Sequence, residues 1–152
     1  MWARSRHWEF DNPRPGDVLE LEAICISGTV EAPAPTDGVV RQEHARDASP
    51  AYLITGSLVS AQDFQADFGH GSRHAGTDVL LSVGGERMLA QIPGPASTVE
   101  LGARVTVRGE VTVLAAYKWD EFGVADTARE WSIEDVRNPD VGEYLMLLRP
   151  SG

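Results

Sequence analysis

The sequence holds one cysteine, Cys25, and one lysine, Lys118, among 152 residues. A lone thiol cannot close an internal disulfide. Set in the apolar run from Ala23 to Ile26, Cys25 reads as a core side chain rather than a nucleophile. Long apolar runs are missing as well. None approaches membrane-spanning length, and the opening residues MWARSRHWEF lack the apolar stretch of a signal peptide. The expectation is a cytoplasmic protein that makes no use of a membrane. Catalytic signatures are equally scarce. Gly84-Gly85 is followed by no Gly-Lys-Ser/Thr, so a phosphate cradle is not indicated. Ser57 and Ser60 lack the context of a nucleophile elbow. His44, His70 and His74 sit in no hydrolase or transferase motif. No catalytic residue and no cofactor is assigned on these grounds.

What the chain does have is negative charge. Thirteen Lys and Arg against 23 Asp and Glu leave a net charge of −10. As a whole such a molecule repels polyanions and anionic surfaces, which lowers a nucleic-acid reading unless a local basic patch overrides it. A hydrophobic content of 42% and a charged content of 24% are those of a globular protein, long enough for one domain with a real core.

The chain is organised around the stretch from Gly102 to Arg137. Val105, Val107, Val111, Val113, Ala115, Tyr117 and Trp119 are apolar, and Arg104, Thr106, Arg108, Glu110, Thr112 and Lys118 alternate with them. A period of two held this long predicts one long, half-buried strand, with Gly109 allowing a bend. Arg129 to Val136 predicts a second strand with Trp131 and Ile133 on one face. Upstream, the alternation of Leu19, Leu21 and Ala23 with Glu20 and Glu22 predicts a strand from Asp17 to Ala32. Tyr52 to Ser60 predicts another. Thr77–Val83 and Arg87–Ile92, on either side of Gly84-Gly85, predict a tight hairpin.

Between these lie two segments that read as long loops. Residues 33–50 are rich in Pro, Ala and Asp, and Glu43, His44 and Asp47 within them read as a solvated face. Residues 61–76 combine Asp63, Asp67, His70 and His74, with Phe64 and Phe68 spaced to anchor a helical turn. The His-x-x-x-His spacing suits a divalent metal only if a helix brings both imidazoles together. The intervening Gly71 argues against that, so a polar loop is the preferred reading and a metal site or metal-dependent enzyme the alternative. Residues 1–16 predict an arm whose Trp2, Trp8 and Phe10 pack on the body or, with Arg4, Arg6 and Arg14, face a ligand. The apolar tail within residues 138–152 closes the core or docks on a partner.

Six strand candidates, glycines in the middle of the long ones and no convincing amphipathic helix predict an all-β fold: a small, coiled antiparallel β-barrel with two long loops. Through Gly102-Ala103-Arg104-Val105-Thr106-Val107-Arg108-Gly109-Glu110-Val111 and the closing pair Trp131 and Ile133, residues 17–137 resemble the OB-fold, the oligonucleotide/oligosaccharide-binding barrel. That resemblance implies a binding face rather than an active site. It points to Arg104, Arg108, Tyr117, Lys118, Trp119 and Phe122 as the ligand-binding set, in which aromatics would stack and cations would meet phosphate. Residues 102–137 nevertheless carry five cations against seven carboxylates, and Glu110, Asp120 and Glu121 interrupt the basic track. The functional expectation is therefore a non-enzymatic binding protein. Its partner would be a protein, including a second copy of itself, with single-stranded nucleic acid as the alternative.

Overall fold

Alternation along a chain becomes architecture only when strands find partners. The computed structural model describes residues 1–6, 10–41, 51–67, 72–115, 129–138 and 142–151. Nine strands run through them. They are β1 (Trp2–Arg6), β2 (Val18–Glu31), β3 (Gly38–Arg41), β4 (Tyr52–Asp67), β5 (Ser72–Val83), β6 (Glu86–Ile92), β7 (Arg104–Ala115), β8 (Arg129–Arg137) and β9 (Glu143–Pro150). A single 3-10 turn at Ala96–Thr98 is the one helical element among the described residues. The all-β expectation stands, and no helix among these residues is long and apolar enough to cross a membrane. The chain divides into two compact units, and the division passes through β2 after Ala23 and through β7 after Glu110.

The first unit holds β1, the start of β2, the end of β7, β8 and β9. Leu19 of β2 stands opposite Trp131 of β8, Ile133 of β8 opposite Leu148 of β9, and Ala3 of β1 opposite Met146 of β9. Ala3, Leu21, Val111, Val113, Ile133, Leu145, Met146 and Leu148 are buried. The arm and the tail expected from sequence are therefore sheet strands that hydrogen-bond each other. Their backbone amides and carbonyls, the obligatory donors and acceptors of any buried segment, are satisfied across that pairing. The polar side carries Arg4–Glu143 at 2.8 Å and Arg149–Glu134 at 3.3 Å. Arg137 lies over the Trp2 ring at 4.6 Å and Arg129 over the Trp131 ring at 5.1 Å. Trp2 of the expected arm and the buried Trp131 each carry a guanidinium over the ring, while Trp8 lies outside the described residues.

The second unit holds β3 to β6 and the remaining parts of β2 and β7. β4 meets β5, β5 meets β6, and β6 runs parallel to β2 at Ile24↔Leu89 and Cys25↔Ala90. β7 pairs with β4 over Tyr52↔Gly109 to Ser57↔Arg104, and β2 and β7 are neighbours. The order of neighbours β4, β5, β6, β2, β7 thus returns to β4. The five strands thus follow one another in a ring, with β2 and β6 joined over the short stretch Ile24–Cys25 and Leu89–Ala90 and β4 flanked by β7 over Tyr52–Ser57. β3 pairs with the first residues of β4. Val79, Leu80 and Leu81 are all buried, as are Met88, Leu89 and Ala90, so β5 and β6 are covered on both faces.

Two features make this hairpin-rich unit bend. Register shifts put one extra residue into β4 between Leu58 and Ser60 and one into β5 between Gly76 and His74, bulges that raise local twist. Gly56 lets β4 approach its neighbour closely, since a Cβ placed there would lie 2.5 Å from the carbonyl oxygen of Ser82. The Gly84-Gly85 hairpin forms as the sequence predicts, with φ of 57° and 87° and Val83 opposite Glu86. Positive φ at both central residues is the signature of a type I′ turn.

Two expectations require correction. Residues 61–67 and 72–76, expected to be loop, are strand, and residues 68–71 between them lie outside the described residues. β4 continues to Asp67 and β5 begins at Ser72, with Asp63 opposite Thr77 and Phe64 opposite Gly76. Polar composition suggested a loop, but cross-strand hydrogen bonds satisfy the backbone whatever the side chains are. The alternation of Gln62, Phe64 and Ala66 with Asp63, Gln65 and Asp67 carried the period of a strand. Phe64 therefore anchors no helical turn; Phe68 lies outside the described residues. Residues 33–50 contain a strand too, β3, whose Gly38 to Arg41 stand opposite Thr55 to Tyr52. Residues 33–37 form the connector that was expected, and residues 42–50, with Glu43, His44 and Asp47, lie outside the described residues.

Candidate ligand-binding cleft

The stretch between β6 and β7, Pro93 to Ala103, begins with the punctuation Pro93-Gly94-Pro95. Two prolines so close forbid both a further strand hydrogen bond and an ordinary helix, and the chain makes the short turn at Ala96–Thr98 instead. Side chains and backbone of β4 and β5 then pin it down. The Thr77 hydroxyl donates to the Gly94 carbonyl at 2.6 Å, and the Ala96 amide donates to the Asp63 carboxylate at 2.8 Å. Further on, the Gly102 amide donates to the Leu58 carbonyl at 2.8 Å, and the Leu58 amide returns a bond to the Ala103 carbonyl at 2.9 Å.

Held this way, the stretch flanks a partly open cavity of about 320 Å³. Leu58, Val79, Ile92 and Val107, all buried, form its inner wall. Val30, Pro93, Val99, Ala103 and Val105 form the outer part, with Thr98 and Glu100 as its polar members. Val30 is 54% exposed and Leu101, beside Glu100 in sequence, 63% exposed, both high values for apolar side chains. A cavity of this size lies at the lower end of what small-molecule pockets occupy, and mouths of β-barrels are among the places where such pockets recur.

The residues proposed from sequence fall differently. Arg104 and Arg108 are on the exposed face of β7, as their alternation with the buried Val107, Val111 and Val113 requires. Each is engaged, however. Asp37 pairs with Arg104 at 2.8 Å and Glu31 pairs with Arg108 at 3.0 Å. Both carboxylates come from the end of β2 and the segment that follows it. The same segment places the Ala34 amide on the Thr106 hydroxyl at 2.9 Å, which explains why Thr106 is buried on a face otherwise polar and exposed. The Asp37 carboxylate also accepts from the Gly84 amide at 3.2 Å. Tyr117, Lys118, Trp119 and Phe122 lie outside the described residues.

Of the four metal candidates, Asp63 is exposed and serves the backbone of Ala96 as just described. Asp67 and His74 stand in β4 and β5, opposite Ser72 and Gln65 in register, and His70 lies outside the described residues. His74 in a strand does not have the helical setting that a His-x-x-x-His metal pair needs. No group of three or more His, Cys, Asp or Glu side chains suited to a metal occurs among the described residues.

The cleft escaped sequence reading because its parts come from the end of β2, from β4 to β7 and from a connector. Its one local signal was the pair of prolines, which marked where regular structure had to stop. Comparison with family models, with curated proteins and with solved structures finds no match to this chain.

Proposed function

We propose that this is a non-enzymatic binding protein of OB-like architecture whose partner is a protein. The architectural part rests on the five-membered order of neighbours β4, β5, β6, β2, β7, which has the strand number of that fold's barrel. Here the strand that precedes the other four in the chain takes the place between β6 and β7. The choice of partner rests chiefly on one observation: the two arginines on the exposed face of β7 are neutralised by Asp37 and Glu31. Phosphate binding draws its strength from cations that can release counterions. Arginines already paired with carboxylates contribute little of that, and a net charge of −10 works in the same direction. An apolar cleft in a donor-poor setting suits the anchoring side chain of a protein partner instead.

Fluorescence anisotropy with a labelled single-stranded oligonucleotide, titrated with salt, tests this reading. The expected result is no binding in low salt. Binding that weakens steeply as salt rises would overturn it in favour of single-strand recognition. Sedimentation equilibrium across protein concentration then reports whether the partner is a second copy of the chain.

A further inference from the structure

The chemistry of the cleft narrows what it can hold. Its walls are apolar, and among the lining residues Glu100 is the one that carries charge, with Thr98 the other polar side chain. Both lie exposed, at the outer part of the cavity. Many of the hydrogen-bond donors at this edge are already engaged. The Thr98 hydroxyl gives its proton to the Pro95 carbonyl at 2.7 Å, leaving its lone pairs to accept. The Thr77 hydroxyl is committed to Gly94. The amides of Ala96, Thr98, Val99, Gly102 and Ala103 all donate within the protein, and Pro93 and Pro95 have none to give. Arg104, next in sequence to Ala103, is held by Asp37. The single charge on the cavity lining is therefore negative, with both threonine hydroxyls and five amides of the stretch already engaged.

We infer that the cleft beside Pro93–Ala103 binds an apolar group that carries a positively charged head, the apolar part against Leu58, Val79, Ile92 and Val107 and the head beside Glu100. An anionic head of the same shape would instead sit beside the like charge of the Glu100 carboxylate. This deepens the partner reading and rests on it in one respect. If the partner is a protein, the group is an apolar side chain flanked by a basic residue, which the net charge of −10 also attracts. The same chemistry could come from a free hydrophobic amine.

The test uses the intact protein with methyl-labelled valines and three probes of one shape: hexylammonium, 1-hexanol and hexanoate. The methyls of Val79, Val105 and Val107 should shift saturably with hexylammonium, at a Kd at least tenfold below that for hexanoate. Glu100→Gln, an exposed change expected to leave the fold intact, should bring that ratio close to one. Equal or better binding of hexanoate overturns the proposal, as does the absence of any saturable shift at these methyls. A fourth probe, acetyl-Lys-Leu-Lys-amide, separates the sources. Tighter binding than hexylammonium supports a segment of a partner, and weaker binding supports a free amine; both uphold the ligand class. Failure of the partner reading looks different, as steeply salt-dependent oligonucleotide binding while hexylammonium still fills the cleft.

Discussion

The hydroxyls of Thr55 and Thr106 lie 2.7 Å apart, one on β4 and the other directly opposite it on β7. Both side chains are buried, and Thr106 also accepts a hydrogen bond from the Ala34 amide. The pair thus ties two strands to each other and to the segment that brings Asp37 to Arg104.

Thr106→Val should accordingly be costly, because it leaves the buried Thr55 hydroxyl and the half-buried Ala34 amide without their partner. A loss of about 2–3 kcal/mol is expected. Thr55→Val leaves the Ala34 bond in place and should cost visibly less. Urea denaturation midpoints of the two variants check the order; equal losses would mean that the Ala34 contact does not matter.

Gly56→Ala should destabilise by about 2–3 kcal/mol, as overpacking in a close contact does. The new methyl would meet the Ser82 carbonyl oxygen at 2.5 Å and the Val83 side chain at 2.9 Å. The Ser82 carbonyl is backbone and cannot yield without shifting the β4–β5 pairing. A melting temperature unchanged from the parent protein would contradict that close approach.

Asp37→Asn and Glu31→Gln should each change stability by less than about 1 kcal/mol, since these ion pairs are partly solvated, and the change should fade in molar salt. Their effect on binding is the sharper readout. Freed of both carboxylates, Arg104 and Arg108 should give the double variant a higher, salt-sensitive affinity for a single-stranded oligonucleotide than the parent has.

Asp78 on β5 provides a pH prediction. Burial pushes its carboxyl above the ordinary value of 3.8, and a hydrogen bond from the Gln91 side chain partly opposes that. A carboxyl raised in the folded state binds its proton there more readily than in the unfolded chain. The stability linked to it is therefore complete below 3.8 and is lost as pH climbs through the raised value. Asp78→Asn should stabilise the protein at neutral pH, with the advantage shrinking as the solution is acidified through that window. Denaturation midpoints measured at several pH values check the sign.

Much of the strand content was readable from one dimension. Val107, Val111 and Val113 against Arg104 and Arg108 define the two faces of β7, and Gly84-Gly85 defines the turn between β5 and β6. Side chains of a strand point alternately to opposite sides, so burial on one face leaves its period in the residues themselves. The same signal was present in Gln62, Phe64 and Ala66, but histidine, aspartate and glycine around them obscured it. The short β3 offered too few residues for any period to emerge.

What the sequence by itself determined is the all-β character, the inward and outward faces of the longest strands and the surplus of negative charge. These are local or additive properties, carried by each residue whatever its neighbours become. Tertiary structure alone decided that β2 comes to lie between β6 and β7, that Asp37 and Glu31 take up the arginines of β7, and that Val30, Leu58 and Val107 face a common cavity beside Glu100. Each of these joins residues far apart in the chain, and strand pairing, not residue periodicity, determines which of them meet.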